Sequence, residues 1–186
     1  QCDWSSDVCS SDLFASTQRG VGLKLINSRS TEAGPRITYD FGRSPTDDDF
    51  LDETDEIEAT PQVGAYWISY FGAWRMTADF KYATSSYKGF SGAFGLAYGG
   101  ALTDSTNVIA GVETHYASKK YNLAYFEDGK SGLNDVTPFL QVIHNMPRGM
   151  YLSLDGRISI VSGAAKTADF TASSSYSAGA IVGKRF

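Results

Sequence analysis

The chain has 186 residues, of which 42% are hydrophobic, 20% charged and 13% aromatic, with 19 glycines and a formal net charge of -5. That length fits one domain, and the acidic balance without a basic stripe excludes a nucleic-acid partner, which needs clustered Lys and Arg. No run approaches the roughly 18 apolar residues of a transmembrane helix, but this does not bear on a membrane barrel, whose apolar band sits in alternate residues.

Residues 1–13 carry both cysteines, Cys2 and Cys9, and repeat Ser-Ser-Asp at 5–7 and 10–12. The segment has neither the basic nor the apolar region of a signal peptide. It resembles the translation of sequencing-adapter DNA, so it is expected to be non-native, and the two cysteines receive no function. The domain is expected over 14–186.

From Phe14 onward the recurring period is two, the alternation of a strand with different environments on its two faces. Nine strands are predicted, at 14–26, 34–42, 61–70, 75–83, 90–99, 107–116, 135–143, 150–161 and 176–186. In the second, Ile37, Tyr39 and Phe41 oppose Arg36, Thr38 and Asp40. In the fourth, Met76, Ala78, Phe80 and Tyr82 oppose Thr77, Asp79 and Lys81. In the eighth, Met150, Leu152, Leu154, Ile158 and Ile160 oppose Tyr151, Ser153, Asp155, Arg157 and Ser159. Most of these strands approach the roughly 9–11 residues that a tilted strand needs to cross a bilayer, beyond the 5–6 typical of soluble sheets.

The links alternate in length. Short ones fall at 27–33, 71–74, 100–106 and 144–149, and longer or more polar ones at 43–60, 84–89, 117–134 and 162–175. An up-and-down barrel places every second link on one side, giving short periplasmic turns and longer external loops. The chain ends in Phe186, and an aromatic C-terminus on a final alternating strand resembles the assembly signal of outer-membrane barrels, whose last strand runs down to the periplasm. Counting back from there, the strand at 14–26 also descends. At least one earlier strand, and a signal peptide, are therefore expected upstream. The expected architecture is an antiparallel, up-and-down transmembrane β-barrel, N-terminally truncated.

Alternation predicts an inward-facing set of Arg36, Asp40, Arg75, Asp79, Lys81, Glu113, His115, Asp155, Arg157 and Arg185. Their mixed signs point to compensating ion pairs that avoid unpaired buried charge; a solute-selective pore is the alternative. Trp67, Trp74, Tyr66, Tyr70, Tyr98 and Tyr116 fall near strand ends and are read as an aromatic belt at the lipid headgroups. Segment 44–60 holds Asp47, Asp48, Asp49, Asp52, Glu53, Asp55, Glu56 and Glu58 without a Lys or Arg. It reads as a solvated external loop, with a cation-mediated bridge to lipopolysaccharide as the alternative. Glu113, His115 and Ser118 raise a hydrolase triad, outweighed by a structural role for His115 in the lumen network. His144 lies in a predicted turn beside Pro147. No enzyme activity, cofactor or metal site is expected.

Several ordered stretches carry a resemblance: FASTQRGVG (14–22), GPRITYDFGR (34–43), GAYWISYFGAWRMTADF (64–80), YNLAYF (121–126), GLNDV (132–136) and the closing GKRF (183–186). Together they resemble the MltA-interacting protein/OmpV family of outer-membrane proteins. The family's N-terminal strands are absent, and Lys184 stands where its closing motif usually has an aromatic residue. The resemblance implies a location in the outer membrane of a Gram-negative bacterium, among its lipids and lipopolysaccharide. It also implies Phe186 as the signal read by the barrel-assembly machinery. The implied role is a scaffold holding a lytic transglycosylase near a murein synthase. Narrow passive channel and surface adhesin are the competing roles.

Overall fold

A computed structural model describes residues 13–16, 19–42, 57–85, 88–125, 129–165 and 174–184. The segments in which apolar and polar residues alternate form one antiparallel sheet of eleven strands, consecutive in space as in sequence. They are β1 (Leu13–Ser16), β2 (Gly20–Leu23), β3 (Ile26–Asn27), β4 (Thr31–Asp40), β5 (Thr60–Phe71), β6 (Trp74–Ala83), β7 (Phe90–Thr103), β8 (Thr106–Ala117), β9 (Gly132–Asn145), β10 (Met150–Val161) and β11 (Ser174–Lys184). β3 is a short offshoot that pairs only with β4. The described residues form an open meander, without a β1–β11 ladder.

The sequence reading is corrected at 14–26, where one strand was expected and three occur. The chain reverses before Gly20, whose φ of +77° favours glycine, and Phe14 pairs back onto Gly22. A side chain at Gly20 would also place its Cβ 2.1 Å from the Ile37 carbonyl oxygen. β1 therefore runs antiparallel to β2.

The short links gather at one end. Phe71 pairs with Trp74 around Gly72 and Ala73, Thr103 pairs with Thr106, and Pro147–Gly149 forms a single 3-10 turn with Arg148 and Gly149 both at positive φ. One long link contains an element that the period-two reading did not anticipate, the helix α1 (Lys119–Tyr125). Ser118 caps it, its hydroxyl accepting the backbone N–H of Tyr121 at 3.4 Å and that of Phe90 at 2.9 Å. Seven residues do not hold a helix alone. α1 is held because Asn122, fully buried, donates to the Lys130 carbonyl at 2.6 Å and exchanges two 2.8 Å hydrogen bonds with Asn134. Gly89 and Gly129 let the chain approach: a Cβ on either would lie within 2.6 Å of helix backbone atoms.

Burial is inverted relative to a water-soluble sheet. Val63, Phe80, Phe94, Leu96, Leu140, Leu154 and Ile158 are exposed, while Arg36, Thr60, Gln62, Asn134, Thr137 and Ser153 are buried. The register puts these two sets on opposite faces, since directly paired residues share a face, except for Asn134, which a register shift opposite His115 and Tyr116 leaves unpaired in the ladder. Phe80 pairs with Ala65 and Gly92, whereas Asp79 pairs with Tyr66 and Ala93. Met76, Phe80 and Ile158 thus stand outside any dry centre.

Candidate functional site: the polar face

Register alone assembles the polar face. One row crosses the sheet as Gly34, Tyr66, Asp79, Ala93, His115 and Asp135, and a parallel row as Arg36, Gly64, Lys81, Ser91 and Ala117. Arg75, Asp155 and Arg157 lie on the same face, opposite Ala97, Gln141 and Phe139. All of Arg36, Asp40, Arg75, Asp79, Lys81, Glu113, His115, Asp155 and Arg157 therefore share one side of the sheet, while Arg185 and Phe186 lie outside the described residues.

Most of these charges are tied to one another. The buried Arg36 guanidinium pairs with Asp79 across the intervening β5. His115 sits between two carboxylates, Nδ1 at 2.7 Å from Asp135 and Nε2 at 3.2 Å from Glu113. Arg157 approaches Glu113 at 3.8 Å and lies over the Phe139 ring, 5.6 Å from its centroid. Thr137 donates to Asp135 at 3.1 Å. Such pairing compensates for the desolvation of each charge. The compensation is incomplete: the Arg36 and Arg75 Nε atoms and Asp79 Oδ1 are buried without a hydrogen-bond partner.

Asp40 closes one end. It accepts from Gly42 N at 3.1 Å, from Gln62 Nε2 at 3.1 Å and from the Tyr125 hydroxyl of α1 at 2.7 Å. That last contact joins the β8–β9 connection to β4, with three strands between them, so α1 reaches back over the polar face. Tyr121 of the same helix lines the cavity below; burial, and then the charge of Asp40, pushes its phenol up to about 12. The cavity has a volume of about 430 Å³, and Asp79, Lys81, Glu113, His115 and Asp135 contribute its charged wall.

A second cluster was missed from sequence. Arg19 pairs with Glu32 at 2.5 Å, Lys24 lies 3.4 Å from the same carboxylate, and the Arg19 guanidinium stacks over Phe14 and Tyr66 at 4.4 and 5.0 Å. Phe14 and Tyr66 meet edge to face, 5.3 Å apart. This corrects Tyr66: only 5% exposed, it belongs to the polar face and not to an aromatic belt. Tyr70, opposite Arg75, has the same parity at the turn. Trp67, Trp74, Tyr98 and Tyr116 lie on the apolar face, and the Trp74 and Tyr98 rings pack edge to face at 5.0 Å. Adjacent residues such as Tyr66 and Trp67 cannot share a face, and parity would have separated them.

Ser118 serves as the α1 cap, while both ring nitrogens of His115 contact carboxylates, so the structure does not assemble these residues as a triad. His144 Nδ1 meets the Thr106 hydroxyl at 2.9 Å. Among the described residues no group of three His, Cys, Asp or Glu side chains is placed to hold a metal ion. Most of the acidic segment 44–60 lies outside the described residues.

The profile of the family described as MltA-interacting protein MipA matches residues 6–186. No curated protein and no solved structure matches the chain.

Proposed function

Because the chain belongs to the MltA-interacting protein MipA family, we propose that it is an outer-membrane β-barrel that acts as a scaffold, holding a lytic transglycosylase near a murein synthase. The observation that carries the membrane reading is the inverted polarity of the sheet. A row such as Val63–Tyr82–Phe90 or Val108–Val142–Leu154 turns apolar side chains outward, while the opposite face carries paired charges. In water that outward face would be an apolar patch far beyond what monomers tolerate; against hydrocarbon it is the favourable arrangement. The edges of the sheet must then be satisfied by closure, because lipid offers no hydrogen bonds.

The scaffold role is favoured over conduction by α1. Its polar anchors at Asn134, Lys130 and Asp40 hold it across the polar face, and ion pairs on that face tie β4 to β6 and β8 to β9. A lumen filled in this way should give no discrete steps in planar-bilayer recordings; step conductance would overturn the plugged reading.

The partner surface is assigned to the short-link end, which faces the periplasm in this topology. Phe71 and Trp74 are exposed there beside Gly72, and the second candidate runs from His144 to Gly149. Replacing both turns with Gly-Ser links should abolish capture of both murein enzymes in a pull-down while leaving membrane assembly intact. Undiminished capture would remove the assignment.

A further inference from the structure

The charged wall of the cavity is unevenly satisfied. Asp79 is paired with Arg36, Glu113 with His115 and Arg157, and Asp135 with His115 and Thr137. Lys81 differs: among the described residues no acceptor lies within hydrogen-bond or ion-pair reach of its ammonium, although Asp40 and Glu113 act on it at longer range. Both of those carboxylates already hold hydrogen bonds or ion pairs elsewhere.

The surroundings of Lys81 are open for a structural reason. Its cross-strand neighbours are Gly64 and Ser91, one without a side chain and the other with only a hydroxyl. Gly64 cannot acquire a side chain, since a Cβ there would lie 2.0 Å from the Phe80 carbonyl oxygen. Lys81 thus lines the cavity together with Ser91, Ser159, Tyr121 and Asn134; the Ser159 hydroxyl also meets that of Thr137 at 2.8 Å, and the Asn134 amide is paired with Asn122. A partly desolvated ammonium whose nearest carboxylates are already engaged elsewhere is costly, and an incoming anion relieves that cost. The volume falls within the range of small-molecule sites.

We propose that this cavity binds a small, hydroxyl-rich carboxylate, with Lys81 supplying the counter-charge and the serine hydroxyls of the wall supplying hydrogen bonds. The site goes beyond the scaffold reading and does not rest on it, because capture of murein enzymes and occupancy of the interior are measured separately.

The test uses the full chain refolded in detergent micelles, titrated with glucuronate, glucose and glucosamine, which share a ring but differ in charge. Binding is read by saturation-transfer NMR, and folding by heat-modifiable electrophoretic mobility. Glucuronate should bind about tenfold or more tightly than the other two. Lys81→Gln should weaken glucuronate by about tenfold, Lys81→Arg should retain it, and Arg29→Gln, in an exposed turn, should leave it unchanged. Equal binding of glucosamine, no glucuronate binding, or undiminished glucuronate binding by folded Lys81→Gln would overturn the proposal. If Lys81→Gln does not fold, the charge series on the parent chain and Lys81→Arg decide it.

Discussion

Replacing Asn122 by Ala isolates what holds α1 in place. The side chain is fully buried and makes three hydrogen bonds, at 2.6 Å to the Lys130 carbonyl and 2.8 Å in each direction with Asn134. Its loss strands a buried carbonyl and both ends of a buried amide. At about 1 kcal/mol for each lost bond, the helix loses about 3 kcal/mol of docking energy. Because α1 is too short to persist undocked, that energy appears as local opening, raised roughly 150-fold. Hydrogen exchange of the amides of Lys119–Tyr125 reads the opening directly, with exchange of the β6 amides as an internal reference. The expected result is acceleration of about two orders of magnitude in the helix alone. Acceleration of less than about threefold would refute the claim that the Asn122–Asn134 pair anchors α1.

The remaining predictions concern the two faces. Asp79→Asn strips the buried Arg36 of its counter-ion and should cost about 3 kcal/mol, read as a lower urea midpoint for folding into lipid vesicles. Replacing both residues by apolar ones of similar volume should restore much of the loss, and a double variant as unstable as Asp79→Asn would contradict the pairing. Leu154→Lys and Ile181→Lys put the same charge at neighbouring depths, because Leu154 pairs with Ala180, but on opposite faces. The first should cost about 2–4 kcal/mol in vesicles and the second about 1 kcal/mol or less; equal costs would remove the distinction between the faces.

Much of the sheet was legible because alternation is a local property. Met76 to Tyr82 and Met150 to Ile160 announce strands with two environments, and the short turns at Gly72–Ala73 and Pro147–Gly149 follow from turn chemistry. The break at Gly20 was not legible, because Phe14 to Ile26 reads as one apolar-rich run and only the approach of the Ile37 carbonyl fixes the reversal. α1 was hidden for a different reason. Seven residues in a polar link carry no helical period, and the determinant, Asn122, finds its partner twelve residues later in β9. That these charges share one face of the sheet followed from parity, but their pairings did not. Which acid serves Arg36 depends on the Gly64 gap between β4 and β6, which no single strand reveals.

In the proposed barrel the apolar face of the sheet meets hydrocarbon while the polar face encloses the interior. A nitroxide scan along β6, from Trp74 to Ala83, in reconstituted vesicles tests it most directly. Collision with oxygen, which concentrates in lipid, should peak at residues 76, 78, 80 and 82, and collision with a water-soluble nickel chelate at 75, 77, 79 and 81. Flat profiles, or oxygen maxima at the odd-numbered positions, would contradict the account.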